Sequence, residues 1–490
     1  MSFYKNLICL FTLSILLSCG GDKDDPEPIP EPEPEPENTE FAVEIGDSEI
    51  PYIVINTNNL QILNEPKVPA TMDIYINKSR VHYLHIGIEY RGSTSFRLSD
   101  KKSFGIETWD EEGNDQDVSI FGFPEEEDWI LMGHVVNLDD QYIFDRTLMY
   151  HYLGYELSRD MNRYASRTKF VELEVNNIYQ GVYVFMEKLK RDNDRIDIQN
   201  LEPTDNDESS ISGGYILKID KTSGGDLNLN EPPEYFEDNW ADDARYSEDI
   251  SFRSQYDIFG QILTFEAFRE PFHSEMYLET YFLYEYPKAE FISDQQRSFI
   301  QNYIHQFETA LLQDDFDSDD RTYTDYIDTD SFVDFFILNE LCRNVDGYRL
   351  STYLTKDRGG KLNMGPIWDL NIGFDSGDRV PLNGWVINYN QYVAEDAWMM
   401  PFWWPRLLED PIFRTAVNNR WNQLRANVLS DAGLINLVTA TSNYLIDNGA
   451  IARNYAIWDI GGVDYQASIE QLKSYLMDRA AWMDGEINAF

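Results

Sequence analysis

Cysteine is almost missing. Only Cys9, Cys19 and Cys342 carry a thiol among 490 residues, and the first two lie in the N-terminal stretch. With Cys9 removed in a leader and Cys19 acylated, no pair is left for an intramolecular disulfide. No Cys/His spacing suits a structural zinc either. The six histidines include no close ligand pair. Basic charge is in deficit: 39 Lys and Arg face 87 Asp and Glu, a formal net charge of −48. Phosphate backbones need cationic partners, which excludes nucleic-acid binding. Long apolar runs are absent too. LICLFTLSILLS, about a dozen residues, is too short to span a bilayer comfortably as a helix. No nucleophile elbow occurs, and Gly20-Gly21 and Gly213-Gly214 form neither a Walker nor a dinucleotide-binding loop.

What is present starts with that apolar stretch. It follows MSFYKN and ends in Leu16-Leu17-Ser18-Cys19, which looks like a bacterial lipobox. The expectation is a signal peptide over 1–18, with Cys19 lipidated and holding the chain at a membrane. GGDKDD after it resembles the acidic export tag of Bacteroidetes surface lipoproteins. The predicted location is the bacterial cell envelope, at the outer membrane or cell surface. Alternating Pro and Glu from Pro26 to Glu37 favour extended polyproline and resist collapse, so 19–40 reads as a tether.

The body begins near Phe41. PYIVINT, ATMDIYINKS, YLHIGIEYRG and KKSFGIETWD alternate as strands. Asp139 to Tyr164 has the spacing of an amphipathic helix, with Leu148, Tyr152, Tyr155 and Leu157 on its apolar side. TKFVELEVNN and QGVYVFMEKLK read as a hairpin, and GGYILKID as one more strand before the acidic insertion 221–250. Beyond Phe291 the pattern is mainly helical, interrupted by strand signals at YRLSTYLTK and KLNMGPIWDL. The fold class is α+β, strand-rich first and helix-rich later. DDFDSDDRTYTDYIDTD (314–330) lacks the glycine and final Glu of a calcium loop and reads as solvated. The aromatic blocks WMMPFWWP and YAIWD read as core or as the lining of a glycan groove.

Two acids bracket a predicted hairpin. Asp346 follows a helix at a Gly-marked turn, and Asp369 ends the second strand, after Gly-Pro-Ile-Trp. An unpaired carboxylate among apolar residues is expensive. Asp369 therefore suits a ligand for a cation, and Asp346 suits a turn residue or a group that orients a hydroxyl. Spacing alone leaves both readings open.

The ordered blocks settle on a resemblance. IEYRGSTSFRLSDKKSFGIE, LDDQYIFDRTLMYHYLGYEL, VELEVNNIYQGVYVFMEKLKRDNDRIDI, GGYILKIDK and NVDGYRLSTYLTKDRGGKLNMGPIWDLNIGFD are together similar to the CotH kinase family, the spore-coat-protein-H-like group. FWWPRLLEDPIFR is similar to a block of bacterial members. The resemblance implies an atypical protein-kinase-like fold over 83–410, between a β-rich segment at 41–82 and a helical extension at 411–490 packed on that body. It implies phosphoryl transfer from ATP, with Mg²⁺ or Mn²⁺, to serine on an unknown protein substrate. Asp346 then matches the acid that orients or deprotonates the acceptor, and Asp369 the metal ligand. Asn371 stands where the family has a second acid, so a neutral oxygen replaces a charged one; Asp375 is a candidate to compensate. Arg91 and Lys102 are expected on the nucleotide side, with Lys102 on phosphate and Glu187 aligning a basic residue. Lys188 and Lys218 are rival phosphate ligands, and Arg146 is expected to tie its helix to the acidic centre. The alternative function is a catalytically weak or inactive kinase-like surface lipoprotein that binds protein or glycan.

Overall fold

Seven strands close into a barrel in the order β1-β2-β3-β4-β5-β9-β8. The computed structural model describes residues 41–222, 235, 238–374, 379–394 and 396–490. The lipobox, the tether, Asp375 and most of the first half of the acidic insertion lie outside the described residues.

The barrel strands are β1 (Tyr52–Asn56), β2 (Val68–Ile76), β3 (Ser79–Arg91), β4 (Ser103–Trp109), β5 (Asp128–Met132), β8 (Thr168–Val175) and β9 (Ile178–Glu187). A two-stranded ribbon, β6 (Val136–Asn137) and β7 (Tyr142–Ile143), precedes β8. Alternation sends Ile53, Ile55, Met72, Ile74, Ile86, Ile88, Phe104 and Ile106 inward, where they pack on Trp129, Leu173 and Phe185. Closure comes from β1, which pairs β2 antiparallel and β8 parallel. The 41–82 segment thus supplies two staves of the same barrel as the strands after it. The β8–β9 hairpin turns on Asn176 and Asn177, both at positive φ, as a tight two-residue turn requires.

The helix expected over 139–164 is shorter than its periodicity suggests. It runs from Tyr150 to Asp160, while the β6–β7 ribbon takes the residues before it. The stop is local. Leu148 sits at φ +60, which no right-handed helix contains, and the buried Asp145 carboxylate accepts from Thr147 N–H and Tyr150 N–H. Leu148 is still buried, but as part of the lead-in.

The second sheet has the order β11-β12-β10-β13-β14, built from β10 (Tyr215–Ile219), β11 (Ser251–Arg253), β12 (Tyr281–Tyr286), β13 (Thr352–Lys356) and β14 (Leu362–Met364). Helices Asp294–Leu312, Thr329–Cys342, Pro411–Arg425, Asp431–Asp447 and Tyr465–Asn488 complete this half. Thr329–Cys342 is apolar nearly all round and is buried along most of its length. Asp328 caps its start through Ser331 N–H, so part of the 314–330 acidic stretch serves helix initiation. Trp403 and Trp404 of the WMMPFWWP block are buried in the core. The chain is α+β.

Candidate functional site

The Thr329–Cys342 helix ends with Arg343 in the left-handed region, and the loop after it carries Asp346. β13 and β14 then form the expected hairpin, but β14 stops at Met364, sooner than the sequence suggests. Gly365-Pro366-Ile367-Trp368 leads on to Asp369 at φ +52. Arg343, Tyr348, Ser351, Asp369 and Phe374 all hold positive φ without being glycine. Such backbone costs of order 1–3 kcal/mol per residue and persists only where surroundings impose it.

Those surroundings can be named. Glu340 and Arg479, both fully buried, pair at 3.0 Å. Glu340 also accepts from the N–H groups of Val386 and Ile387, and Arg479 donates to the carbonyls of Glu340 and Gly384. The C-terminal helix is thereby pinned under the loop that carries Asp346. From the other side comes the Tyr150–Asp160 helix. A Cβ on its Gly154 would stand 1.9 Å from Leu370 Cδ1, so only glycine permits this approach to the residue after Asp369. One turn earlier, His151 Nε2 lies 3.5 Å from Asp369 Oδ1.

The other oxygen of Asp369 meets Ser351. Ser351 Oγ is 3.5 Å from Asp369 Oδ2 and 3.3 Å from Asp220 Oδ2, so one hydroxyl bridges two carboxylates. Asp220 ends β10. Burial pushes its carboxyl up to about 6; Lys218 and the N–H of Lys221 oppose the rise, and the negative charge of Asp369 adds to it. Lys218 Nζ stands 3.9 Å from Asp220 and 3.6 Å from Glu285. The phenol of Tyr353 feels Lys218, Glu285, Asp220 and Arg91 together, which places Arg91 of the barrel beside the second sheet.

Asp346 connects to this group through an arginine. Its Oδ1 accepts from Arg349 Nη2 at 2.6 Å. Arg349 is itself buried, stacked over Tyr389 and paired with Asp396 at 3.2 Å. Arg349 and Asp220 line one small cavity with Tyr246 and Trp398. Asp220, Ser351, Asp369 and His151 therefore form one polar chain, and the Asp346–Arg349 pair borders the same cavity as Asp220.

The expected nucleotide-side residues divide. Arg91 lies over Trp368, the neighbour of Asp369, and Lys218 touches Asp220. Lys188 is half exposed and pairs with Asp128, while its charge also reaches Glu285. Lys102 differs from expectation: its ammonium donates to Phe96 O at 2.6 Å and lies over that ring. Glu187 is fully buried and aligns basic groups, but they are Arg167 at 2.5 Å and Arg195 at 3.8 Å. Arg146 is exposed, and its backbone carbonyl accepts from Tyr455; the tie from helix to acids is made by His151. Asp220, His151, Ser351 and Arg349 went unread in the sequence. The signal for Asp220 was an acid at the end of a predicted strand, two residues after a lysine already suspected.

The donors suit a hard divalent cation, which takes carboxylate and amide oxygens. Asp220 and Asp369 give two carboxylates on one hydroxyl. Asn371 Oδ1 is buried with no hydrogen-bond partner among the described residues, an arrangement that is costly without a ligand. No curated protein matches this chain. A family model described as CotH kinase protein matches residues 88–483, running past Asp410 through the helix that carries Arg479. The buried brace and the polar chain both lie inside that span, and this chain belongs to the CotH kinase protein family.

Proposed function

We propose that this chain is an atypical, kinase-like enzyme that transfers the terminal phosphoryl group of ATP to a protein serine, held at the cell envelope by a lipid on Cys19. The observation that carries the reading is the Asp220–Ser351–Asp369 bridge at the junction of the barrel and the second sheet, with the orphaned Asn371 oxygen two residues after Asp369 in the chain. Asp220, Asp369 and Asn371 would hold Mg²⁺ or Mn²⁺. When bound, the metal supplies charge neutralisation to phosphate oxygens.

The chain's own groups do the rest. Lys218 and Arg91 offer cationic donors on the two sides of the junction. His151 fixes one Asp369 oxygen and leaves the other towards Ser351. Arg349 anchors Asp346 by Oδ1, and Oδ2 has no hydrogen-bond partner among the described residues. That oxygen orients the acceptor hydroxyl and receives its proton as the hydroxyl oxygen bonds to the terminal phosphorus of ATP and the bond from that phosphorus to ADP breaks.

Calorimetry on the full chain in detergent, with ATP and Mn²⁺ or Mg²⁺, tests the reading. Binding is expected for the native chain and is lost in Asp369→Ala. No heat at millimolar nucleotide sinks the proposal. Labelling with a fatty-acid analogue tests the anchor separately: Cys19→Ser should lose the label.

A further inference from the structure

A cleft of about 330 Å³ opens beside the segment that leads to Asp369, among Met161, Tyr164, Phe335, Leu338, Met364 and Ile367. Its lining includes none of His151, Asp220, Asp346, Ser351 and Asp369. Cleft and site are back to back. Met161 and Tyr164 follow the helix of His151, Phe335 and Leu338 lie on the helix that leads to Asp346, and Ile367 stands two residues before Asp369. Trp368 packs against Tyr155, Tyr353 and Arg91 on the junction side, whereas Ile367 lines the cleft. Thr355 and Asp357 of the lining flank Lys356, which pairs with Tyr215; Asp220 follows the other end of β10, where Ile219 pairs with Thr352. Strand geometry puts those two ends about 13 Å apart.

The charges around the cleft are not equally available. Arg195 Nη1 donates to Asp128 O and Lys188 O and pairs with Glu126 at 2.7 Å. Asp357 Oδ1 accepts from Gln199 N–H and Arg358 N–H. Asp197 is exposed, and a solvated carboxylate holds a partner weakly. Arg163 is different. The buried Asp334 accepts from Arg163 Nε and from Arg420 Nε, each at 2.7 Å, so one carboxylate faces two guanidiniums. The Arg420 Nη nitrogens go to Gln423 and Met161 O, whereas both Arg163 Nη nitrogens have no partner among the described residues. The Arg163 side chain is 36% exposed. A guanidinium anchored through Nε with its fork open is a donor that grips a carboxylate by two bonds.

We propose that this cleft is a second ligand site, for a small organic acid whose aromatic body packs among Met161, Phe335, Leu338 and Ile367 and whose carboxylate sits on Arg163. Its volume falls in the range of small-molecule pockets, roughly 300–1,000 Å³, and the thioethers of Met161 and Met364 suit an aromatic body. The site does not depend on the phosphoryl-transfer reading.

Calorimetry on the full chain in detergent, with the detergent blank subtracted, tests it with 2-naphthoate as probe. Arg163→Gln leaves Asp334 paired with Arg420 and should weaken binding about tenfold. Leu338→Trp should fill the cleft and abolish binding. 2-Naphthylmethylamine carries the opposite charge on the same body and should bind more weakly; equal or tighter binding overturns the acid class. Saturating ATP with Mn²⁺ should leave the affinity for 2-naphthoate unchanged, and competition overturns a second site. Hydrogen exchange on the native chain covers a variant that fails to fold: 2-naphthoate should slow exchange over 331–338 and 363–367. No slowing there, or no binding by the native chain at millimolar 2-naphthoate, also overturns the site.

Discussion

Charged residues are used differently in the barrel and in the second sheet. Lys101 in the barrel is 1% exposed and fully engaged, donating to Val182 O at 2.6 Å and Asn454 Oδ1 at 2.9 Å over the Tyr183 ring. Glu172 receives a bidentate Arg453, and Glu174 receives Tyr52 and Ala42 N–H. In the second sheet, Lys218, Asp220 and Asp369 keep 13%, 21% and 34% of their side chains exposed; Lys218 Nζ stands 3.9 Å from Asp220, and Ser351 Oγ lies 3.3 Å and 3.5 Å from the two carboxylates. A saturated group is structural because nothing remains for a ligand to bind. A loosely held pair of like charges invites a cation.

The largest effect should come from the brace beneath the site. Arg479→Ala takes from the buried Glu340 carboxyl its charge partner in the core, and removal of one partner of a buried pair costs about 3–5 kcal/mol. Thermal and denaturant unfolding should both register that loss, and an unchanged midpoint would show that the C-terminal helix does not support the loop.

Next comes the acceptor side. Asp346→Asn should keep the melting temperature and ATP–metal binding but cut labelled-phosphate transfer about a hundredfold, the usual scale for a general base. Unimpaired transfer removes Asp346 from its role, whatever happens to the family assignment.

The contrast between the two lysines can be drawn out directly. Lys101→Met strands a buried carbonyl and should cost about 1–3 kcal/mol of stability, with nucleotide affinity intact. Lys218→Met should do the reverse, weakening nucleotide about tenfold with little change in unfolding. The same phenotype from both variants would erase the distinction between the two regions.

A subtler sign is expected in the pH profile. Metal requires ionised Asp220, whose carboxyl is pushed up to about 6, so Mn²⁺ affinity should fall as pH drops from 7 to 5. In the metal-free chain the sign is opposite: a raised carboxyl stabilises the fold at low pH and loses that contribution as pH rises through about 6. Asp220→Asn should flatten both trends, measured by calorimetry and by melting.

The smallest effect belongs to a buried acid outside the site. Glu308 accepts from Ser254 and Trp403, and burial pushes it up to about 8. The native chain should lose stability relative to Glu308→Gln as pH rises from about 4.5 to 8, where the unfolded chain sheds its proton first. A constant difference between their melting temperatures over that range would contradict it.

Barrel strands, the Asn-Asn hairpin and the late helices were legible because each rests on short-range periodicity or turn chemistry. The 139–164 stretch misled for the same reason: its spacing is helical, but Asp145 and Leu148 impose a later start. Asp346 and Asp369 could be found by their motif. Asp220 and His151 could not, since they lie 149 and 218 residues from Asp369 along the chain (369 − 220 and 369 − 151) and meet it only through packing. Lys102 and Glu187 show the converse, charged residues in a family block whose partners lie elsewhere.

By itself the sequence determined the α+β class, the family blocks, the acidic charge balance and the place of the two motif acids in the chain, all of which depend on composition or on residues near one another in the chain. Only the tertiary structure decided which charges are spent on the barrel and which meet at the second sheet, and that Asp220 shares the Ser351 hydroxyl with Asp369. The reason is physical: a charge is structural or functional according to its partners and its burial, and these are set where distant segments pack.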